Sequence, residues 1–281
     1  MTRNVKPRKQ FAQHWLKSEK ALDQIIETAA LNSEDAVLEI GAGTGILTRR
    51  LLWSASTVVA VEIDRDLIKK LKQKFQTEEH LLLLEGDFLK LDLASLVSPT
   101  PRKVVANIPY NITAPILEKL LGSIAHPEQK YEKIVLLVQK EIADRICANS
   151  GSKTFGGLSV RSQYLAACEF ISIVPAKAFS PAPKVDSAII SLTPRPFPLP
   201  ANSPQFLEQL IKLGFANRRK MLRNNLKSII APQQLQPILE QLEISPLVRA
   251  EDISVSNWVR LCNQLDLQIN ATLLTDCTRE N

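Results

Sequence analysis

Between residues 20 and 140 the chain switches repeatedly between two hydrophobic periods, and no other feature restricts its possible folds as much. Short apolar runs read as buried strands: AVLEI (36–40), TVVAVEI (57–63), HLLLLEG (80–86), KVVAN (103–107) and KIVLLVQ (133–139). Between them ALDQIIETAAL, ILTRRLLWSA, DRDLIKKLKQKF and APILEKLLGSI have helical spacing, and KEIADRICAN continues the pattern after the last strand. Strands alternating with helices of this length form βαβ units, so a parallel sheet covered on both faces is expected.

The character changes after residue 150. FGGLSVRSQYLAACEFISIV mixes helix and strand signals, and AFSPAPKVDSAIISLTP ends in strand-like alternation. Pro194, Pro196, Pro198, Pro200 and Pro204 then suggest a semi-rigid linker. Ser203–Pro204 makes an N-cap and N1 pair, and QFLEQLIKLGFANRRKMLRNNLKSII, QQLQPILEQL and SNWVRLCNQL have helical spacing. The expected division is residues 1–200 as an α/β domain with a basic tail and 201–281 as a small all-helical domain.

Several function classes are disfavoured. No stretch approaches the apolar length of a membrane span. No apolar region follows the basic MTRNVKPRKQ, so no secretory signal is expected and the cytoplasm is the default. Cys147, Cys168, Cys262 and Cys277 are scattered, and His14, His80 and His126 lack metal-ligand spacing, so no metal is expected. A net charge of +6 hints at a polyanionic partner.

The first strand runs into EIGAGTGILT, with Gly41, Gly43 and Gly45 at alternate positions. Alone, such a loop fits a packing turn equally well. Glu62 ends the second strand and Asp87 ends the third, each at the carboxyl edge where open sheets bind ligands. Two acids at successive strand ends beside a glycine loop suggest a nucleoside site. Ile46 stands where a dinucleotide fingerprint wants its third glycine, and with Glu39 upstream the loop resembles the S-adenosylmethionine site of class I methyltransferases. That resemblance makes Glu62 a ribose ligand and Asp87 an adenine reader.

The fourth strand delivers NIPYN (107–111) to the same edge. A simple turn is one reading. The other is a clamp for an exocyclic amine, whose lone pair is delocalised into its ring. Asn107 offers a side-chain carbonyl, and Ile108 a backbone carbonyl restrained by Pro109. Tyr110 offers a face for base stacking, worth about 1–3 kcal/mol.

NIPYNIT together with EIGAGTGILT resembles the ribosomal RNA adenine N6-dimethyltransferase family. RKQFAQHWL, FGGLSV, AFSPAPKVDSAI and FANRRKMLRNNL resemble its other motifs in order, over nearly the whole chain. The closest fit is the housekeeping branch acting on small-subunit rRNA (KsgA/RsmA type). The resemblance implies a Rossmann-like methyltransferase sheet and cofactor contacts from His14, Leu16, Gly41, Glu62, Asp87 and Asn107. His14, Trp15 and Ala12 depart from the usual Asn, Phe and Gly; on spacing alone a lone His there is more often structural, and only the resemblance makes His14 a cofactor contact. Phe179 would face Tyr110 across a flipped adenine; the alternative is a core phenylalanine.

Arg219, Arg223 and Lys227 recur every four residues, which places them along one helix stripe expected to contact RNA phosphates. The expected function is S-adenosylmethionine-dependent dimethylation of N6 on two adjacent adenosines near the 3′ end of small-subunit rRNA, by a monomer, with a role in small-subunit biogenesis. The rivals are methylation of large-subunit rRNA, as in antibiotic resistance, and a non-catalytic ribosome-assembly factor.

Overall fold

The computed structural model describes residues 13–277, except the side chains of Ala94 and of residues 269–277. The basic tail, including Arg3, Lys6, Arg8 and Lys9, lies outside the described residues. The described residues form two compact units, one made of the chain up to residue 120 with 129–143 and 168–194, the other of 121–128, 144–167 and the chain from 195 onward. The division expected at residue 200 therefore captures only the last of three segments that build the second unit.

In chain order the elements are β1 (Trp15–Leu16), α1 (Glu19–Ala29), β2 (Ala36–Ile40), α2 (Ile46–Leu52), β3 (Thr57–Glu62), α3 (Arg65–Lys74), β4 (Leu81–Glu85) and α4 (Leu93–Leu96). Then come β5 (Lys103–Asn107), α5 (Thr113–Leu121), β6 (Lys133–Gln139), α6 (Lys140–Ile146), α7 (Gly157–Leu165), β7 (Ala166–Val174), β8 (Phe179–Ser180) and β9 (Ser187–Pro194). Four helices follow: α8 (Pro204–Gly214), α9 (Leu222–Asn225), α10 (Pro232–Gln241) and α11 (Val255–Cys277).

All five expected strands form, and they stand side by side in a seven-stranded sheet of order β4-β3-β2-β5-β6-β9-β7. β4, β3, β2, β5 and β6 are parallel, but β9 pairs antiparallel with β6, so the sheet is mixed rather than wholly parallel. β2 is buried throughout, as expected of a strand covered on both faces. On one face Val37, Val58, Val105, Val135 and Ile189 pack with Leu22 and Ile25 of α1 and Leu47 and Leu51 of α2. Ser18 caps α1 by accepting from the Ala21 N–H, and Asp64 caps α3 by accepting from the Asp66 N–H. These caps fix where each helix leaves its strand, and so where the connecting loops lie.

The helical unit has its own core, in which the fully buried Trp258 lies against Phe215, and Leu207, Leu210 and Leu222 are buried as well. The continuous helix expected from 205 to 230 breaks instead. α8 ends at Gly214, where an added Cβ would lie 2.3 Å from Trp258 Cη2. Asn225 then donates back to the carbonyls of Gly214 (2.6 Å) and Asn217 (3.0 Å), and the Leu222 N–H bonds the Val248 carbonyl. Arg219 consequently sits in the turn before α9 and Lys227 beyond its end, so Arg219, Arg223 and Lys227 do not form a stripe on one helix. The proline segment is tethered as well: the Ala201 N–H bonds Tyr164 Oη, and Asn263 Nδ2 bonds the Pro200 carbonyl.

A candidate cofactor cleft with an adjoining acceptor motif

Parallel strands that stop in register leave a cleft beyond their carboxyl ends. Here it holds about 750 Å³ of space, partly open to solvent, lined by Gly41 and Gly43 after β2, Glu62 and Ile63 at β3, and Asp87 and Phe88 after β4. Asn107, Ile108, Pro109 and Tyr110 after β5, and Gln13, His14 and Trp15, complete it.

Gly43 has φ +57°, and its N–H donates to Glu62 Oε2 at 2.8 Å. A side chain there would be strained and would press on Trp15, 3.3 Å from an ideal Cβ. Glu62 Oε1 accepts from the Asp64 N–H at 2.9 Å. Burial pushes the Glu62 carboxyl above its ordinary range, and those two N–H donors oppose the shift. The glycine loop is held from behind by Lys74, whose Nζ donates to the carbonyls of Thr44 (2.7 Å) and Gly45 (3.2 Å).

Glu39 lies one strand period beyond Val37 on the helix-covered face, and it stops short of the cleft that Glu62, further along the same face, reaches. It is buried and accepts from Thr48 Oγ1 at 2.6 Å. Burial first, then the nearby Glu62 charge, push its carboxyl up to about 8.

On the acceptor side, Asn107 Nδ2 donates to the His14 carbonyl at 3.1 Å. With its N–H₂ end so engaged, Oδ1 is the acceptor the side chain has to offer. Tyr110 Oη shares a 2.6 Å hydrogen bond with the buried Ser187, which pins the ring. Burial raises the phenol further above its ordinary range, so it stays protonated near neutrality.

His14 stacks on Tyr110 with centroids 5.7 Å apart and planes at 18°. Its Nδ1 lies 2.8 Å from the Pro181 carbonyl, which can only accept, so Nδ1 carries the proton.

Two expectations fail here. Phe179 takes the place of a core phenylalanine: it is buried with Leu16, Val174 and Ile189 and is absent from the cleft lining. Leu16 pairs with it across the antiparallel β1–β8 ribbon and is likewise in the core, away from the cleft lining. The ring beside Tyr110 belongs to His14. The other expected cleft residues, His14, Gly41, Glu62, Asp87, Asn107, Ile108, Pro109 and Tyr110, are brought together. Missed residues include Phe88, whose only signal is its place after Asp87, and Ser187, which stands within the quoted AFSPAPKVDSAI motif.

Residues 4–267 match the family model for ribosomal RNA adenine dimethylase. The chain belongs to that family. Among members of this dimethylase family, the small-subunit rRNA methyltransferase A of Rippkaea orientalis is 62% identical over 266 residues, covering 92% of this chain and 98% of that one. The protein of the same name from a Nostoc species is 58% identical, covering 94% and 100%. Among solved structures, a Plasmodium falciparum dimethyladenosine transferase has TM-score 0.74 at 29% identity, covering 90% of this chain and 98% of the other. The 23S rRNA methyltransferase ErmE has TM-score 0.73 at 28% identity, covering 90% and 99%.

As a family member this chain is an S-adenosylmethionine-dependent rRNA methyltransferase with a class I fold. The cleft fits that cofactor: two carboxylates at neighbouring strand ends, a loop whose glycine leaves room, and apolar Ile63 and Phe88 beside them. Among the described residues no helix is long and apolar enough to cross a membrane. Nor could any group of three or more His, Cys, Asp or Glu among them hold a metal ion.

Proposed function

We propose that this protein dimethylates N6 of two adjacent adenosines near the 3′ end of small-subunit rRNA, acting as a cytoplasmic monomer during small-subunit biogenesis. The orientation of the Asn107 carboxamide supports the chemistry most directly. Bound S-adenosylmethionine supplies an electrophilic methyl group. The protein's task is to present the amine. Asn107 Oδ1 and the Ile108 carbonyl accept the two amine hydrogens, which draws the nitrogen out of conjugation and towards the tetrahedral geometry of attack. Both acceptors are neutral, so neither imposes the desolvation penalty of a buried charge. The pinned Tyr110 ring carries the base, and His14 is its neighbour in place of Phe179. Gly41, Glu62, Asp87 and His14 hold the cofactor, Glu62 through its ribose and Asp87 through its adenine.

No general base is required. The alkylated nitrogen is acidic and releases its proton to water, so catalysis is positioning plus electrostatic complementarity. We read the helical unit as the RNA holder, with Arg219, Arg223 and Lys227 contacting phosphates without reading sequence.

Likeness of fold does not separate the two rRNA targets, because the P. falciparum enzyme and ErmE match almost equally. The 62% and 58% identical relatives carry small-subunit names and favour that target. Undermethylated small and large subunits incubated with labelled cofactor, followed by nucleoside analysis, test the choice. Dimethyladenosine should appear only in small-subunit RNA. Asn107→Ala should lower its formation by about 100-fold or more. A variant as active as the wild type would remove the clamp, and an inactive wild type would favour a pure assembly factor.

A further inference from the structure

The turn after β4 carries Asp87 and Phe88 into the cleft, and its backbone curls tightly. Asp87 Oδ1 accepts from the Leu89 N–H at 3.0 Å, and the Asp87 carbonyl accepts from the N–H groups of Lys90 (2.9 Å) and Leu91 (3.1 Å). The Gly86 N–H bonds the Glu62 carbonyl at 2.9 Å. This curl leaves the carbonyls of Phe88, Leu89 and Leu91 converging on one point.

Lys119, on the last part of α5, fills that point. Its Nζ lies 2.7 Å from the Phe88 carbonyl, 3.2 Å from Leu89 and 2.6 Å from Leu91. It also sits 5.0 Å above the centre of the Phe88 ring. An ammonium offers three donors from one atom, which matches three convergent acceptors; a planar guanidinium does not. Burial lowers the Lys119 pKa, while Asp87 and Asp92 act to keep it charged.

We propose that Lys119 is a positioning residue for cofactor recognition, its ammonium holding the Asp87–Phe88 turn in the shape that selects adenine. The inference rests on reading Asp87 as the acceptor for the adenine amino group. Lys119 is not among the residues that line the cleft. It acts by gathering carbonyls that would otherwise repel one another and open the turn. Because α5 begins directly after the Asn107–Tyr110 motif, the same side chain also ties the cofactor turn to the helix behind the acceptor clamp.

The test uses two ligands that differ only at the purine edge, S-adenosylhomocysteine and S-inosylhomocysteine, titrated calorimetrically into the full chain. Hypoxanthine presents a carbonyl where adenine presents its amino group. The wild type should favour the adenine ligand by about tenfold or more. Lys119→Met should weaken the adenine ligand by about tenfold and the inosine ligand by less than about twofold, so the preference collapses. Should that variant fail to fold, Lys119→Arg gives the readout, with a preference for the adenine ligand below that of the wild type. An unchanged preference in the folded variant overturns the inference, including when both ligands weaken equally, because a merely structural lysine would act that way. A wild type without preference overturns instead the reading of Asp87.

Discussion

At the scale of single residues, Glu39 and Glu62 share one face of the sheet by strand period and differ in how far along their strands they lie. Glu62 reaches the cleft, whereas Glu39 points beneath the helices, where burial pushes its carboxyl up to about 8 from 4.5. A raised acid favours the folded state in its neutral form. Its contribution is complete below about 4.5 and is lost as pH rises towards 8, at up to about 1.4 kcal/mol per unit. Glu62 shifts the same way and adds to that slope. Glu39→Gln, which resembles the neutral acid, should flatten the decline between pH 4.5 and 8, measured by urea unfolding at successive pH values. A slope equal to the wild type's would show Glu39 to be ionised throughout. Asn107, Glu62 and Asp87 were legible in the sequence because each stands at or just beyond the end of an apolar strand run. Lys74 and Lys119 were not, because their partners are backbone carbonyls, which no side-chain pattern displays. Phe179 and Leu16 misled for another reason: a two-residue ribbon has no period from which to read which side chain turns inward.

Among the elements, the parallel strands were read well because buried apolar runs bounded by turn residues have few alternatives. The helix expected over 205–230 failed because spacing records which residues are apolar and not where the chain folds back. Gly214 was the available signal. In a helix, glycine to alanine ordinarily stabilises by about 1 kcal/mol through propensity. Here the new Cβ would stand 2.3 Å from the fully buried Trp258 ring and 3.3 Å from Leu222, and overpacking of this kind costs about 1–3 kcal/mol. Packing wins, so Gly214→Ala should lower the stability to urea, and a gain in stability would contradict this view of the α8 terminus. The antiparallel β9 was similarly hidden, since alternation gives a strand but not its direction.

Considered whole, the molecule divides its chain in a way that composition could not show. The proline-rich stretch at 194–204 resembled a boundary, yet segments before residue 168 also build the helical unit. What was legible at this scale was charge: six bases against Glu208 alone between Gln205 and Lys227. That excess remains although the single stripe does not. Arg218 is partly committed to structure, bonding Glu251 and the carbonyls of Lys153 and Phe155. Arg219 and Lys227 are exposed and Arg223 is half-buried. Replacing these three by alanine should weaken RNA binding and reduce the slope of log affinity against log salt by about 2, leaving S-adenosylhomocysteine affinity unchanged. Filter binding of a small-subunit 3′-end RNA across a potassium chloride series reads the slope, and an unaltered slope would remove these residues from the interface.

The Tyr110–Ser187 hydrogen bond and the β1–β8 ribbon join positions far apart along the chain. During translation the glycine loop and its carboxylate partner can assemble once residues 36–62 have emerged. The aromatic platform, by contrast, must wait for residue 187. A nascent enzyme would thus acquire its grip on the methyl donor well before it could handle a base, and an unfinished chain has no competent catalytic centre to turn loose on the ribosome making it.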